Sequence, residues 1–212
     1  MQTGLSRINP ARVKIDHIVN LQDARYIAAA EVGYLSLCLE RGHIRKLPES
    51  TAWEILDWLN GPQFILDFGL DHPAAEAYVR APLRTDVWIQ IACPAELLMV
   101  GSLPPAHVVS ISFVSIQDLT GKQAVIQNLI DEEYRVELAP HNPLIDAVAL
   151  SDWCSTFKSQ LFLQTDGLES DSMAKLVQLP FFLSLRRWVQ ADTFSLDYDL
   201  FESLISEVPS EA

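Results

Sequence analysis

Two hydrophobic rhythms alternate along this chain. Val13 and Ile15 are interleaved with Lys14 and Asp16, the period of two that a strand imposes. Asn20 is placed to cap a helix, with Asp23 three residues on in a capping-box position. Ala24, Ile27 and Ala28 then recur at helical spacing, and Gly33 is expected to supply a left-handed C-terminal stop. Tyr34–Leu39 is a second apolar run of strand length. Two strands joined by such a helix are expected to lie parallel, through a right-handed crossover.

The same alternation continues. Glu40–Leu47 reads as a polar loop and Pro48–Asn60 as a helix ended by Gly61 and Pro62, before a third strand at Phe64–Phe68. Pro73–Arg80 is a short helix and Asp86–Ile91 the fourth strand; Pro94–Val100 is a helix and Val108–Phe113 the fifth strand. Lys122–Glu133 is amphipathic, with Ala124, Val125, Leu129 and Ile130 on one face. Tyr134–Leu138, Gln160–Leu163 and Phe181–Leu185 are the last three strands, with helices at Leu144–Phe157, Asp171–Gln178 and Asp197–Glu207. Eight strand–helix units without a long insertion predict a closed (β/α)8 barrel, an α/β TIM barrel forming one domain over residues 1–212. An open doubly wound sheet is the alternative, but no strand is followed by a glycine-rich dinucleotide loop.

Composition narrows the partners. Hydrophobic residues make up 49% of the 212, enough for a sizeable core. A net charge of −13 argues against nucleic acid and against an anionic membrane surface. No apolar run reaches membrane-spanning length, and the first residues lack the apolar core of a secretory signal. Cys38, Cys93 and Cys154 are scattered and form no C-x-x-C pair, so buried free thiols in a reducing, cytoplasmic setting are expected. The five histidines show no metal-ligand spacing, and neither a metal nor a cofactor is expected. With 8 glycines, the loops are short of the residue that lets backbone amides cradle phosphate.

The opening unit, Val13-Lys14-Ile15-Asp16-His17-Ile18 followed by Leu21-Gln22-Asp23-Ala24, Ala28-Ala29-Ala30-Glu31 and Gly33, resembles the start of phosphoribosylanthranilate isomerase, a tryptophan-pathway barrel enzyme. The likeness runs through all eight units: Arg45-Lys46-Leu47-Pro48-Glu49, Gln90-Ile91-Ala92-Cys93, Asp166-Gly167-Leu168 and Ser184 to Asp197 resemble family segments. The resemblance implies a barrel that performs an Amadori rearrangement without a cofactor, by general acid–base catalysis. It also places departures on the chemistry. The family's strand-one cysteine base corresponds to Asp16, its strand-six aspartate acid to Ala139 and its strand-four histidine to Ala92. Its two phosphate loops correspond to Asp166-Gly167 and Arg187-Trp188, where a carboxylate repels the anion and an indole blocks backbone approach. Arg45 and Asp197 match.

Each candidate has two readings. Asp16 is either a general base with a pKa lifted by burial, or a loop cap paired with Lys14 or an arginine. Glu137 lies two residues before Ala139 and projects to the same side, as a displaced acid or, preferably, as an ion-pair partner of Lys14. Asp67 admits the same two readings. Arg45, Arg186 and Arg187 follow strands two and eight, the neighbours of strand one, and with Lys14 are the candidate anion-binding groups; a salt-bridge set is the alternative. Trp53 and Trp58 read as packing residues or a dimer face. The expected protein is thus a diverged barrel that binds or transforms a different small anionic molecule, as a monomer or homodimer. The alternatives are a non-catalytic pseudoenzyme and a surviving isomerase with Asp16 as base.

Overall fold

The computed structural model describes residues 8–80, 84, 86–93, 106–141, 146–157, 160–165, 182–185 and 196–205. Eight parallel strands close in sequence order: β1 Val13–Ile15, β2 Tyr34–Cys38, β3 Gln63–Asp67, β4 Trp88–Ala92, β5 Val108–Phe113, β6 Arg135–Pro140, β7 Leu161–Gln164 and β8 Phe182–Leu185. Pairing of β1 with both β2 and β8 makes the closure that the strand count predicts. The described helices are α1 Leu21–Ala29, α2 Glu49–Trp58, α3 His72–Arg80, α4 Ile116–Gly121, α5 Gln123–Asp131, α6 Ala147–Cys154 and α7 Tyr198–Leu204. The expected helices at 94–100 and 171–178 lie outside the described residues.

The local signals behave as their chemistry dictates. The Asn20 side chain accepts a hydrogen bond from the Asp23 backbone amide and starts α1. Ser115 does the same for Asp118, which starts α4, a helix absent from the sequence reading. Its capping box lies at the end of an apolar strand, where the six-residue helix leaves little periodicity to detect.

Gly33 departs from expectation. The left-handed residue after α1 is Glu31, at φ 56°, and Gly33 has another role. A Cβ at Gly33 would lie 2.2 Å from the Ala11 carbonyl oxygen, and the Gly33 amide donates to the Pro10 carbonyl at 3.0 Å. Close backbone approach, not φ, requires glycine there.

Register divides every strand into two faces. Val13, Ile15, Leu35, Leu37, Ile89, Ile111, Leu161 and Leu183 are all buried, as is Ile65. Burying an aliphatic side chain of this size contributes about 1.5–3 kcal/mol. The paired residues Lys14, Tyr34, Ile65, Trp88, Val108, Arg135, Phe162 and Phe182 form the other face, toward the barrel axis. At the N-terminal end, Arg135 stands over Trp88 (4.6 Å), Phe182 (5.8 Å) and Tyr34 (5.9 Å), a floor of aromatic faces around one guanidinium. Trp53 stacks on Tyr78 at 5.8 Å, whereas Trp58 is exposed.

Candidate functional site at the C-terminal mouth

Above the aromatic floor the barrel interior becomes polar. Lys14 is the middle residue of β1, and strand alternation turns its side chain inward between the apolar Val13 and Ile15. Its ammonium is 0% exposed and meets Asp16 Oδ1 at 2.8 Å, Glu137 Oε1 at 2.5 Å and Gln90 Oε1 at 2.7 Å. Those three contacts match the three N–H donors of an ammonium group. Gln90 Nε2 in turn donates to Glu137 Oε2 at 2.9 Å, and the Ser184 hydroxyl donates to Asp16 Oδ2. Strands β1, β4, β6 and β8 therefore supply one closed network.

One cation serves two carboxylates, and their pKa values move apart. Burial pushes the Asp16 carboxyl up, but the attraction of Lys14 outweighs it, aided by His17 and the Ser184 hydroxyl, and holds the pKa below the usual carboxylate range. For Glu137, burial dominates; Lys14 opposes it, while repulsion from Asp16 and Asp67 adds to it, and the pKa is raised. Burial pulls Lys14 down, yet the charges of Asp16, Glu137 and Asp67 lift it above the ordinary lysine value. The expected Lys14–Glu137 pair is thus present. The ligand-binding role expected of Lys14 meets a different geometry, because its donors already point at protein acceptors.

A second pair lies at the rim. His17 follows Asp16 at the end of β1 and holds φ 56°, a left-handed conformation that is uncommon outside glycine. Its Nε2 lies 2.9 Å from Asp67 Oδ2, and the Gly69 amide donates to Asp67 Oδ1 at 2.9 Å. Burial raises the Asp67 pKa, but the hydrogen bond and charge of His17 reverse the shift and leave it lowered. The His17 ring is 5% exposed, and its Nδ1 has no hydrogen-bond partner among the described residues. Cys38, the last residue of β2, and His43, in the following loop, bring their ligand atoms within 4.8 Å of a His17 nitrogen and of each other. Sequence spacing missed this cluster because its members come from two different βα units; the parallel pairing of β1 with β2 is what brings them together.

Asp16, Lys14 and Glu137 are therefore gathered into one site, with Gln90 and Ser184 as added partners. Arg45 is half-buried in the loop after β2, and its backbone amide donates to His43 Nδ1 at 3.1 Å. Arg186, Arg187 and the two loops expected at the phosphate positions lie outside the described residues. Ala92, the last residue of β4, pairs with Ser110, and Ala139, near the end of β6, pairs with Ser112, so neither position carries a titratable group.

No protein-family model and no curated protein matches the chain in sequence. Solved structures do match in fold. The phosphoribosyl anthranilate isomerase of Thermotoga maritima superposes with a TM-score of 0.69 at 18% identity, covering 91% of this chain and 96% of its own. A phosphoribosyl anthranilate isomerase in complex with reduced 1-(o-carboxyphenylamino)-1-deoxyribulose 5-phosphate gives 0.68 at 18% identity, with 91% and 95% covered. The N-(5'-phosphoribosyl)anthranilate isomerase of Pyrococcus furiosus gives 0.58 at 18%, again covering 91% and 95%. The shared property is the closed eight-stranded barrel.

Proposed function

We propose that this chain is a diverged isomerase-like barrel whose mouth takes a small anionic molecule other than phosphoribosylanthranilate. The observation that carries the reading is the state of Asp16. Its Oδ1 lies 2.8 Å from a fully buried ammonium and its Oδ2 accepts the Ser184 hydroxyl. A carboxylate held this way with a lowered pKa is a weak proton acceptor, and general-base catalysis is most efficient when the pKa lies near the working pH. Alanines at the positions aligned with the family's histidine and acid remove two further polar groups. The anion-binding groups in this reading are Arg45, Arg186 and Arg187, which follow the two strands flanking β1. Lys14 is the internal support that keeps Asp16 ionised, and Glu137 is the second carboxylate that shares its ammonium.

One observation favours a second reading, a surviving isomerase. Asp16 is shifted down and Glu137 up around one lysine, and such divergence is how sites assign a base and an acid. The two readings separate in a tryptophan auxotroph lacking the isomerase. The diverged-barrel reading expects no growth on this chain. Robust growth that disappears with Asp16→Ala would overturn it and establish Asp16 as the base.

A further inference from the structure

We infer that His17, Cys38 and His43 form a binding site for one divalent transition-metal ion of the zinc class, with Asp67 as the residue that positions His17. Two imidazoles and a thiol are the donor set that borderline-soft ions prefer over magnesium or calcium. The inference is independent of which anionic molecule, if any, enters the mouth.

Five features of the cluster agree. Asp67 Oδ2 lies 2.9 Å from His17 Nε2 and fixes a proton on that nitrogen, so in the neutral ring that binds a metal the lone pair resides on Nδ1. That nitrogen is buried and carries no hydrogen bond among the described residues. Carboxylate–imidazole–metal relays use this arrangement, in which the outer carboxylate sets both the tautomer and the ring orientation. Asp67 is itself anchored by the Gly69 amide, so the relay rests on a β3 residue and not on a loose loop. The rings of His17 and His43 meet edge to face at 4.7 Å, as two ligands of one ion must approach from different directions. Finally, the left-handed φ of His17 is an uncommon conformation for a non-glycine residue, of the kind that clusters at ligand sites.

The geometry requires a modest contraction. Ligand atoms within 4.8 Å of one another would close to about 3.4–3.6 Å around a tetrahedral ion with metal–nitrogen and metal–sulfur distances of roughly 2.1 and 2.3 Å. If His43 binds through Nδ1, it exchanges the hydrogen bond from the Arg45 amide for a metal bond. Binding takes the Cys38 thiol to a thiolate and releases one proton to solvent, with no change of oxidation state. Three protein ligands leave the fourth position open, the pattern of a site that admits water or an anion.

The test uses the full-length protein, freed of metal by a chelator and kept reduced, and titrated with cobalt(II) as a spectroscopic stand-in for zinc. The expected result is saturation at one equivalent, with the intense visible bands of tetrahedral cobalt and a near-ultraviolet thiolate charge-transfer band, both abolished by added zinc. Cys38→Ser should remove the charge-transfer band. His43→Ala, at a half-buried loop position, should weaken binding without unfolding the barrel as judged by far-ultraviolet circular dichroism. Asp67→Asn should weaken it about 10–100-fold while leaving the cobalt spectrum tetrahedral, as expected of a positioning residue. Absence of saturable cobalt binding by the unsubstituted protein would overturn the inference. So would binding whose spectrum and affinity survive both Cys38→Ser and His43→Ala.

Discussion

Among the described residues, two cations stand inside this barrel, and they are accommodated in opposite ways. Arg135, at the N-terminal floor, is half-buried and rests on the faces of Trp88, Tyr34 and Phe182. Lys14, one layer higher, is fully buried and is held by two carboxylates and an amide. A guanidinium is weakly hydrated and planar, so aromatic faces suit it while one edge stays wet. An ammonium is a compact, strongly hydrated charge, and its burial demands acceptors of opposite charge. The floor is therefore a packing device. The upper network is an electrostatic one, and it decides what the residue at the end of β1 can do.

The largest expected effect comes from removing the upper cation. Lys14→Met leaves Asp16 and Glu137 buried without their counter-ion, a change that typically costs about 3–5 kcal/mol. Urea unfolding should report that loss, and adding Glu137→Leu and Asp16→Leu in the same chain should recover a large part of it. A cost below about 1 kcal/mol for Lys14→Met would mean that the ion pair is not the organising contact.

Arg135→Leu should cost less, about 0.5–2 kcal/mol, because the floor keeps its aromatic packing and loses only the cation–ring attraction. Arg135→Lys should fall between the two, since an ammonium is more strongly hydrated than a guanidinium. If Arg135→Leu proves as damaging as Lys14→Met, the contrast between the two layers fails.

The smallest effects are those of pH, and their signs differ within one network. Asp16 and Asp67 have lowered pKa values, so they contribute stability above the unfolded aspartate value of about 4 and lose it as pH falls through their folded values. Lys14 is raised; its contribution is complete below the unfolded lysine value and is lost only as pH rises through the folded one. Glu137 has the opposite sign. With a raised pKa, it subtracts stability as pH climbs from the unfolded glutamate value of about 4.3 through its folded value. Glu137→Gln should therefore flatten the slope above pH 4 to 5, and Asp16→Asn should remove part of the acid limb. Thermal unfolding across pH 3 to 8 checks both. A Glu137→Gln profile parallel to the parent would show that Glu137 binds its proton equally well in the folded and unfolded chain, with no raised value.

Much of this architecture is legible in the chain because it depends on near neighbours. Alternation places Val13 and Ile15 on one face and Lys14 on the other, Asn20 caps the helix that follows, and strand–helix units repeat to the count a closed barrel needs. The polarity of the barrel interior is also foreshadowed, since an inward Glu137 calls for a cation and Lys14 is within reach by parity. Gly33 was legible only as a glycine. Its reason lies in the Ala11 carbonyl, set by how the turn at Pro10–Arg12 folds back against it.

What the tertiary structure alone decided is convergence across units. Local periodicity carries no information about which strand faces which across the barrel. It therefore could not place Gln90 and Ser184 on the Lys14–Asp16–Glu137 network. Nor could it bring His17, Cys38 and His43 together, since ligands on separate βα units have no common spacing. Pairing of β1 with β2 settles the second, and closure of β1 against β8, with every second residue of every strand turned toward one axis, settles the first. The chain specifies the charges, and the barrel selects their partners.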